Sequence, residues 1–208
     1  MVRFHPHPHF NFELMRNFWD WYARWYDRLE GRRSNRDIAI IKELGRFAKS
    51  DMVLDLGGGT GRVAEKIKDL VDEIIVADTS FGMLKEAAKK GLKTFSFAVL
   101  PLSFPEETFD KILLIKTLHH LDFPEDYLRE IYRLLKRGGA LIIEDPDYDK
   151  FLVRISITLE KIYDRNVRGY TRNAIRRLLE TAGFKNVSLQ KNFKMTQWRL
   201  GYFVKAIK

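Results

Sequence analysis

At 208 residues, with 45% hydrophobic and 31% charged side chains, the chain has the composition of one folded domain with room for a small cap, which excludes a disordered or low-complexity protein. It has no cysteine, which excludes disulfides, thiolate metal centres and cysteine nucleophiles and fits a reducing, cytoplasmic setting. The net charge of +9 gathers in residues 151–208, where 13 basic side chains meet 3 acidic ones, and so basic a tail suits an anionic partner such as RNA.

No apolar run approaches the roughly 20 residues of a membrane span, and no signal-peptide pattern is expected at the start. Residues 1–10 contain His5-Pro6-His7-Pro8-His9, an extended, proline-broken head. Its histidines lack a fourth ligand, and no metal is expected. From Phe12 to about Leu29, Phe18, Trp21, Tyr22, Trp25 and Leu29 recur at three- and four-residue steps while Asp20, Arg24 and Arg28 stay polar. That spacing predicts an amphipathic helix with its aromatic stripe packed inward, and Gly31 as its stop. A second helix is expected from Asn35 to Ala48, with Ile38, Ile41, Leu44 and Phe47 on its inner side.

Met52–Leu56 then reads as a strand ending in glycines, Arg62–Leu70 as a helix, and Glu73–Ala77 as a second strand. A short helix, Gly82–Lys90, leads to a strand at Thr94–Ala98. Lys111–Lys116 is continuously apolar at its centre, as in a strand covered on both faces. Pro124–Lys136 is helical, Gly138-Gly139 a turn, and Ala140–Glu144 the fifth strand. Strand alternating with helix implies βαβ units and a mostly parallel sheet. In the last third, residues 150–165 predict an extra helix with Phe151, Ile155, Leu159 and Ile162 at helical spacing. Thr171–Ala182 follows, capped by Thr171 and stopped by Gly183. Strands at Asn186–Lys191 and Arg199–Ile207, with no helix between them, should pair antiparallel.

The densest chemical signal is Val53-Leu54-Asp55-Leu56-Gly57-Gly58-Gly59-Thr60-Gly61-Arg62, a strand entering a glycine turn from which a helix leaves. Glycines let a ligand lie against the backbone, and the helix start supplies unpaired N–H groups. Asp78, at the end of the next strand, can accept ribose hydroxyls. These features specify a nucleoside-containing cofactor at the carboxyl edge of a parallel sheet. Gly59-Thr60-Gly61-Arg62-Val63-Ala64 also fits the dinucleotide form G-x-G-x-x-A, so a nicotinamide-dependent oxidoreductase is one alternative. Asp55 argues against it: a carboxylate at the strand tip repels a pyrophosphate and attracts the ammonium of an amino-acid tail.

With these motifs and those after them, the chain resembles the class I S-adenosylmethionine-dependent methyltransferases of the broad type 11 group. The resemblance runs through Ile74-Ile75-Val76-Ala77-Asp78, Phe104-Pro105 to Leu113, Leu118-His119-His120-Leu121, Leu134 to Leu141, and Tyr170-Thr171 to Ala182-Gly183-Phe184, with Ala23 to Tyr26-Asp27 as a leading helix. It implies a Rossmann-like α/β fold with a seven-stranded, mostly parallel sheet, its last strand antiparallel, and a small helical cap. One methyltransferase domain would span the chain: N-terminal helices and lid (1–50), cofactor-binding core (51–147), cap insertion (148–168), and late helix with closing strands (169–208). It further implies S-adenosylmethionine as cofactor and S-adenosylhomocysteine as product.

Asp55 and Gly57, Gly58, Gly59, Thr60 and Gly61 would hold the methionine end, Asp78 with Thr79 and Met83 the ribose side, and Lys116 and Thr117 the pocket wall. Phe97 stands where the family often has an acid for the adenine amino group. Adenine is then expected to stack on an aromatic face and be read by the backbone of Ala98 and Val99. Tyr26 on the leading helix is a candidate for the carboxylate or the sulfonium. His119 and His120, past the fourth strand, are the candidate base or acceptor contacts. The leading helix and the 150–165 helix are expected to cap the acceptor.

Asp145-Pro146-Asp147-Tyr148 reads as a loop in which Asp145 or Asp147 is a candidate acceptor contact. Arg154, Arg165 and Arg168 are candidate contacts to an anionic acceptor, and Arg172, Arg176 and Arg177 read as solvated. A small-molecule acceptor is favoured and RNA is second. A non-catalytic nucleic-acid-binding protein on this fold is the other alternative.

Overall fold

In the computed structural model, which describes residues 12–30, 35–162, 167–191 and 201–208, the strands are β1 (Met52–Leu56), β2 (Glu73–Asp78), β3 (Lys93–Ser96), β4 (Phe109–Ile115), β5 (Leu135–Pro146), β6 (Lys185–Lys191) and β7 (Gly201–Ile207). They form one seven-stranded sheet in the order β3-β2-β1-β4-β5-β7-β6. The first five pair in parallel, and β7 runs antiparallel to both β5 and β6. This matches the expected topology. The His5–His9 head, Gly31, Arg165 and Arg199 lie outside the described residues.

The helices are α1 (Phe12–Glu30), α2 (Asn35–Gly45), α3 (Arg62–Ile67), α4 (Phe81–Lys89), α5 (Pro124–Leu134), α6 (Phe151–Glu160) and α7 (Arg172–Thr181), with 3-10 turns at Lys68–Leu70 and Leu118–His120. Local chemistry sets their ends. Ser80 caps α4 by accepting the Met83 N–H at 3.1 Å, and Thr171 caps α7 by accepting the Ala174 N–H at 3.2 Å. Pro124 opens α5, where its missing N–H costs nothing.

Two apolar layers sandwich the sheet. On one face Leu54, Ile112, Leu141 and Ile143 pack under Leu128 and Ile131 of α5 and Ile175 and Leu179 of α7. On the other, Val53, Leu113 and Ile142 meet Ile41 of α2, Ala64 and Ile67 of α3 and Leu84 of α4. Strand order reverses between β1 and β4, and their carboxyl ends there form the crevice where open α/β sheets bind ligands.

Two expectations are corrected, and the phase of one helix is settled. On α1 the aromatic stripe does not pack inward as a unit: Trp21 and Trp25 are 66% and 49% exposed, while Ala23 is buried. On α6 the residues noted for their helical spacing, Phe151, Ile155, Leu159 and Ile162, are exposed, and Val153 and Ile157 are the buried ones, packed with Val167 and Tyr148. Asp145-Pro146 is not loop; it ends β5, with Asp145 paired to Tyr202 and Pro146 to Gly201.

Candidate active site

The glycine turn is braced by the neighbouring strand. The Gly57 N–H donates to the Ala77 carbonyl at 2.7 Å, and the Gly59 N–H donates to Asp78 Oδ2 at 2.9 Å. Gly57, Gly59 and Gly61 have φ of 68, 57 and 71°, a region that costs side-chain-bearing residues dearly. A Cβ on Gly57 would stand 2.2 Å from Thr117 Cγ2, and one on Gly58 2.6 Å from Asp55 Cγ. Glycine is therefore favoured by conformation at Gly57, Gly59 and Gly61 and required by space at Gly57 and Gly58.

Asp55 lies at the tip of β1 with 1% of its surface exposed, and neither carboxylate oxygen has a hydrogen-bond partner. Burial, followed by the nearby Asp78 charge, pushes its pKa up to about 7. A buried carboxylate in that state invites a cation. Asp78 is half-buried, and burial raises its pKa too, while backbone N–H groups of Ser80 and Gly59 hold it down. Ser80 N donates to Asp78 Oδ1 at 2.8 Å, so both carboxylate oxygens are fixed in place with lone pairs to spare. Met83 is buried, and a Cβ on Gly59 would reach its sulfur at 3.6 Å. Thr79 and Phe97 are half-buried, and Ala98 and Val99 are exposed on the loop after β3.

Thr60 departs from its expected part. Its side chain is fully buried and turns to α1, where Oγ1 donates to Asp27 Oδ1 at 2.5 Å. Lys90 ties the same corner, donating to Asp27 Oδ2 and, at 2.8 Å, to the Thr60 carbonyl. A second anchor lies about two turns earlier. Asp20 Oδ1 accepts from Ser80 Oγ at 2.6 Å and from the Gly82 N–H at 2.7 Å. A Cβ on Gly82 would strike the α1 backbone at 2.6 Å, so the two helices meet through glycine. Thus α1 is seated on the glycine turn and on the start of α4. Tyr26 faces this corner, its ring 5.7 Å from the Arg62 guanidinium. Asp20, Asp27 and Lys90 were not singled out from the sequence. The seven-residue spacing of the two acids, which places them on one helix face, was the available signal.

At the end of β4, Lys116 takes φ of 54° and Thr117 Oγ1 donates to the carbonyls of Gly57 and Ile115 at 3.2 and 3.0 Å. The chain then turns through His119 and His120. His119 is buried, with Nδ1 2.6 Å from Asp145 Oδ1. Asp145 is 1% exposed and its second oxygen has no hydrogen-bond partner. The buried tyrosines Tyr170 and Tyr202 lie nearby, their pKa values raised by burial and, for Tyr202, next by Asp145. His120 is half-buried between Trp19 of α1, at a ring distance of 5.6 Å, and Glu160 of α6, whose Oε1 is 3.7 Å from Nε2. Among the described residues, His119, His120 and Glu160 form one set of side chains whose ligand atoms lie within 4.8 Å of each other.

The remaining arginines divide. Arg154 donates to the Tyr148 carbonyl at 3.0 Å and remains exposed. The Arg168 N–H holds the His119 carbonyl at 2.8 Å. Arg172 is not solvated as expected but pairs with Asp147 at 3.0 Å and Asp149 at 3.5 Å. Arg176 and Arg177 are exposed.

Comparison with known proteins follows the same outline. Residues 26–189 match a family model described as a methyltransferase domain. An uncharacterized protein of Methanocaldococcus jannaschii is 30% identical over 174 residues, 82% of each chain. The ubiquinone/menaquinone biosynthesis C-methyltransferase UbiE of Citrobacter koseri is 35% identical over 127 residues. That match covers 56% of this chain and 49% of the UbiE chain, so the chain spans about half the length of that relative. A solved structure from Thermotoga maritima, described as an S-adenosylmethionine-dependent methyltransferase and possible histamine N-methyltransferase, superposes with a TM-score of 0.72 at 27% identity, over 94% of this chain and 98% of that one.

Proposed function

Because the chain belongs to the S-adenosylmethionine-dependent methyltransferases, we propose that it methylates a small-molecule acceptor received beside His119 and His120. The family sets aside the nicotinamide reading. One observation carries the cofactor assignment to particular residues: the buried, unpartnered carboxylate of Asp55 beside a bare glycine turn. The donor set fits the group. Asp55 offers a carboxylate to the α-ammonium, Gly57 to Gly61 give the backbone cradle, Asp78 serves the ribose hydroxyls, and Met83 and Phe97 flank the nucleoside. Tyr26 lies on the covering helix, and Lys116 and Thr117 close the far wall.

When bound, S-adenosylmethionine supplies an electrophilic methyl group whose reactivity is its own. The chain's part is orientation and proton handling. Asp145 accepts the Nδ1–H of His119, which leaves Nε2 as the basic nitrogen of the ring, suited to take a proton from an acceptor hydroxyl or ammonium. His120, braced by Trp19 and Glu160, borders the same space. The cofactor role falls to residues 51–147, the cover to α1 and α6, and the closing strands are β6 and β7.

The quinone chemistry in the name of the Citrobacter relative, and the histamine in that of the Thermotoga structure, both support a small acceptor. A cytoplasmic location belongs to the same reading. Among the described residues no helix is long and apolar enough to cross a membrane.

Two measurements test it. Calorimetry with S-adenosylhomocysteine should show binding that Asp55→Asn weakens about 10- to 100-fold, the value of a charge-assisted hydrogen bond. Labelled methyl transfer into cell extract should place the label in the organic or small-solute fraction. Label destroyed by nuclease would replace the small acceptor with RNA, and absence of binding would remove the cofactor assignment altogether.

A further inference from the structure

Helix α6 turns its apolar residues outward. Phe151, Leu152 and Leu159 are 73%, 63% and 58% exposed, Ile155 is 44% exposed, and Ile162 just beyond the helix is 79% exposed. Charge on α6 is sorted the other way. Its one acid, Glu160, turns in toward His120, while Lys150, Arg154 and Lys161 are exposed. Helix α1 repeats the arrangement. Asp20 and Asp27 turn in to Ser80, Gly82, Thr60 and Lys90. Arg24 and Arg28 stay outside with Trp21 and Trp25. Both helices meet at one residue, since Trp19 of α1 and Glu160 of α6 each contact His120.

We infer that the outer faces of α6 and α1 form a docking surface for an anionic phospholipid bilayer. Each part of the surface has its counterpart there. Phe and aliphatic side chains enter the acyl boundary, Trp takes the interface, and Arg and Lys meet headgroup phosphates while their stems lie along apolar surface. The other occupants fit less well. A second copy of the chain would set one row of arginines and lysines against another, which like-charge repulsion opposes. A single-stranded nucleic acid could stack on Trp21, Trp25 and Phe151 but would leave Leu152, Ile155, Leu159 and Ile162 uncovered. The mode is lying on the surface, as no described helix is long and apolar enough to cross.

The test uses the full chain and vesicles, with no methyl donor present, so its failure leaves the methyl-transfer reading untouched. The protein should sediment with mixed phosphatidylglycerol and phosphatidylcholine vesicles, at least about tenfold less with phosphatidylcholine alone. Tryptophan emission should shift to the blue on binding. The double variant Ile155→Asp/Leu159→Asp changes only exposed positions, and melting temperature and S-adenosylhomocysteine binding check that its fold is intact. It should lose at least about tenfold in vesicle partition. Arg24→Gln/Arg28→Gln should lose a similar factor and blunt the salt dependence. The inference falls if wild type ignores both vesicle types or if the Asp variant partitions undiminished. It also falls if mixed-sequence RNA is bound in place of vesicles, or if α6 instead holds a dimer that the Asp variant dissociates.

Discussion

A carboxylate 2.6 Å from a ring nitrogen decides where the proton of His119 sits, and with it what the opposite nitrogen can do. If the pair works as proposed, His119→Asn and Asp145→Asn should each lower kcat about 100-fold while S-adenosylhomocysteine affinity stays within about twofold. The double variant should cost little more than either single one, because the two act as a unit. An unchanged kcat in His119→Asn would make the contact structural. Asp55, Asp78 and the glycines were legible in the sequence because their chemistry is local: a strand tip, a turn and a helix start within one stretch. The partner of His119 was not, since Asp145 meets it only through the pairing of β4 with β5. Nor was the inward turn of Thr60, which depends on Asp27, 33 residues upstream.

Among the elements, the glycine turn and α1 divide the work of holding a ligand. A Cβ on Gly59 would meet nothing closer than Met83 Sδ at 3.6 Å, though at φ of 57°. Gly59→Ala should therefore cost only about 1 kcal/mol of stability, yet put a methyl group on the cradle and weaken S-adenosylhomocysteine binding at least about tenfold. Thermal melts and calorimetry read the two effects separately. Helix α1 is held at Asp20 and Asp27, so Asp27→Ala should speed ligand release several-fold with little change in melting temperature, as stopped-flow fluorescence from the α1 tryptophans would show. The phase of α6 shows the limit of periodicity. Phe151, Ile155 and Leu159 satisfy helical spacing, and so do Val153 and Ile157 on another side. The pattern identifies a helix, and only the position of Tyr148 and Val167 decides which side is covered.

Across the whole molecule, the parallel sheet was readable from alternating strand and helix, and the antiparallel ending from two strands with no helix between them. The long reach of β5, from Leu135 to Pro146, was not, because Gly138 and Gly139 read as a turn and yet lie within the strand. Stability as a whole should carry the mark of the buried acid at the centre. Asp55 holds its proton up to about pH 7 when folded but only to its ordinary 3.8 when unfolded. Between those values the folded state binds the extra proton, so the ligand-free protein should lose stability as pH rises from about 4 to about 7. Asp55→Asn should flatten that slope in chemical melts and add roughly 2 kcal/mol above pH 7, the relieved charge less the cost of a buried amide.

The bend after β1 is tied to β2 through Ala77 and Asp78. A socket tied in this way should need little reshaping to receive its guest. The amino-terminal helix, latched to the bend and to α4 through Asp20 and Asp27, should then act as the hasp whose opening sets the pace of exchange.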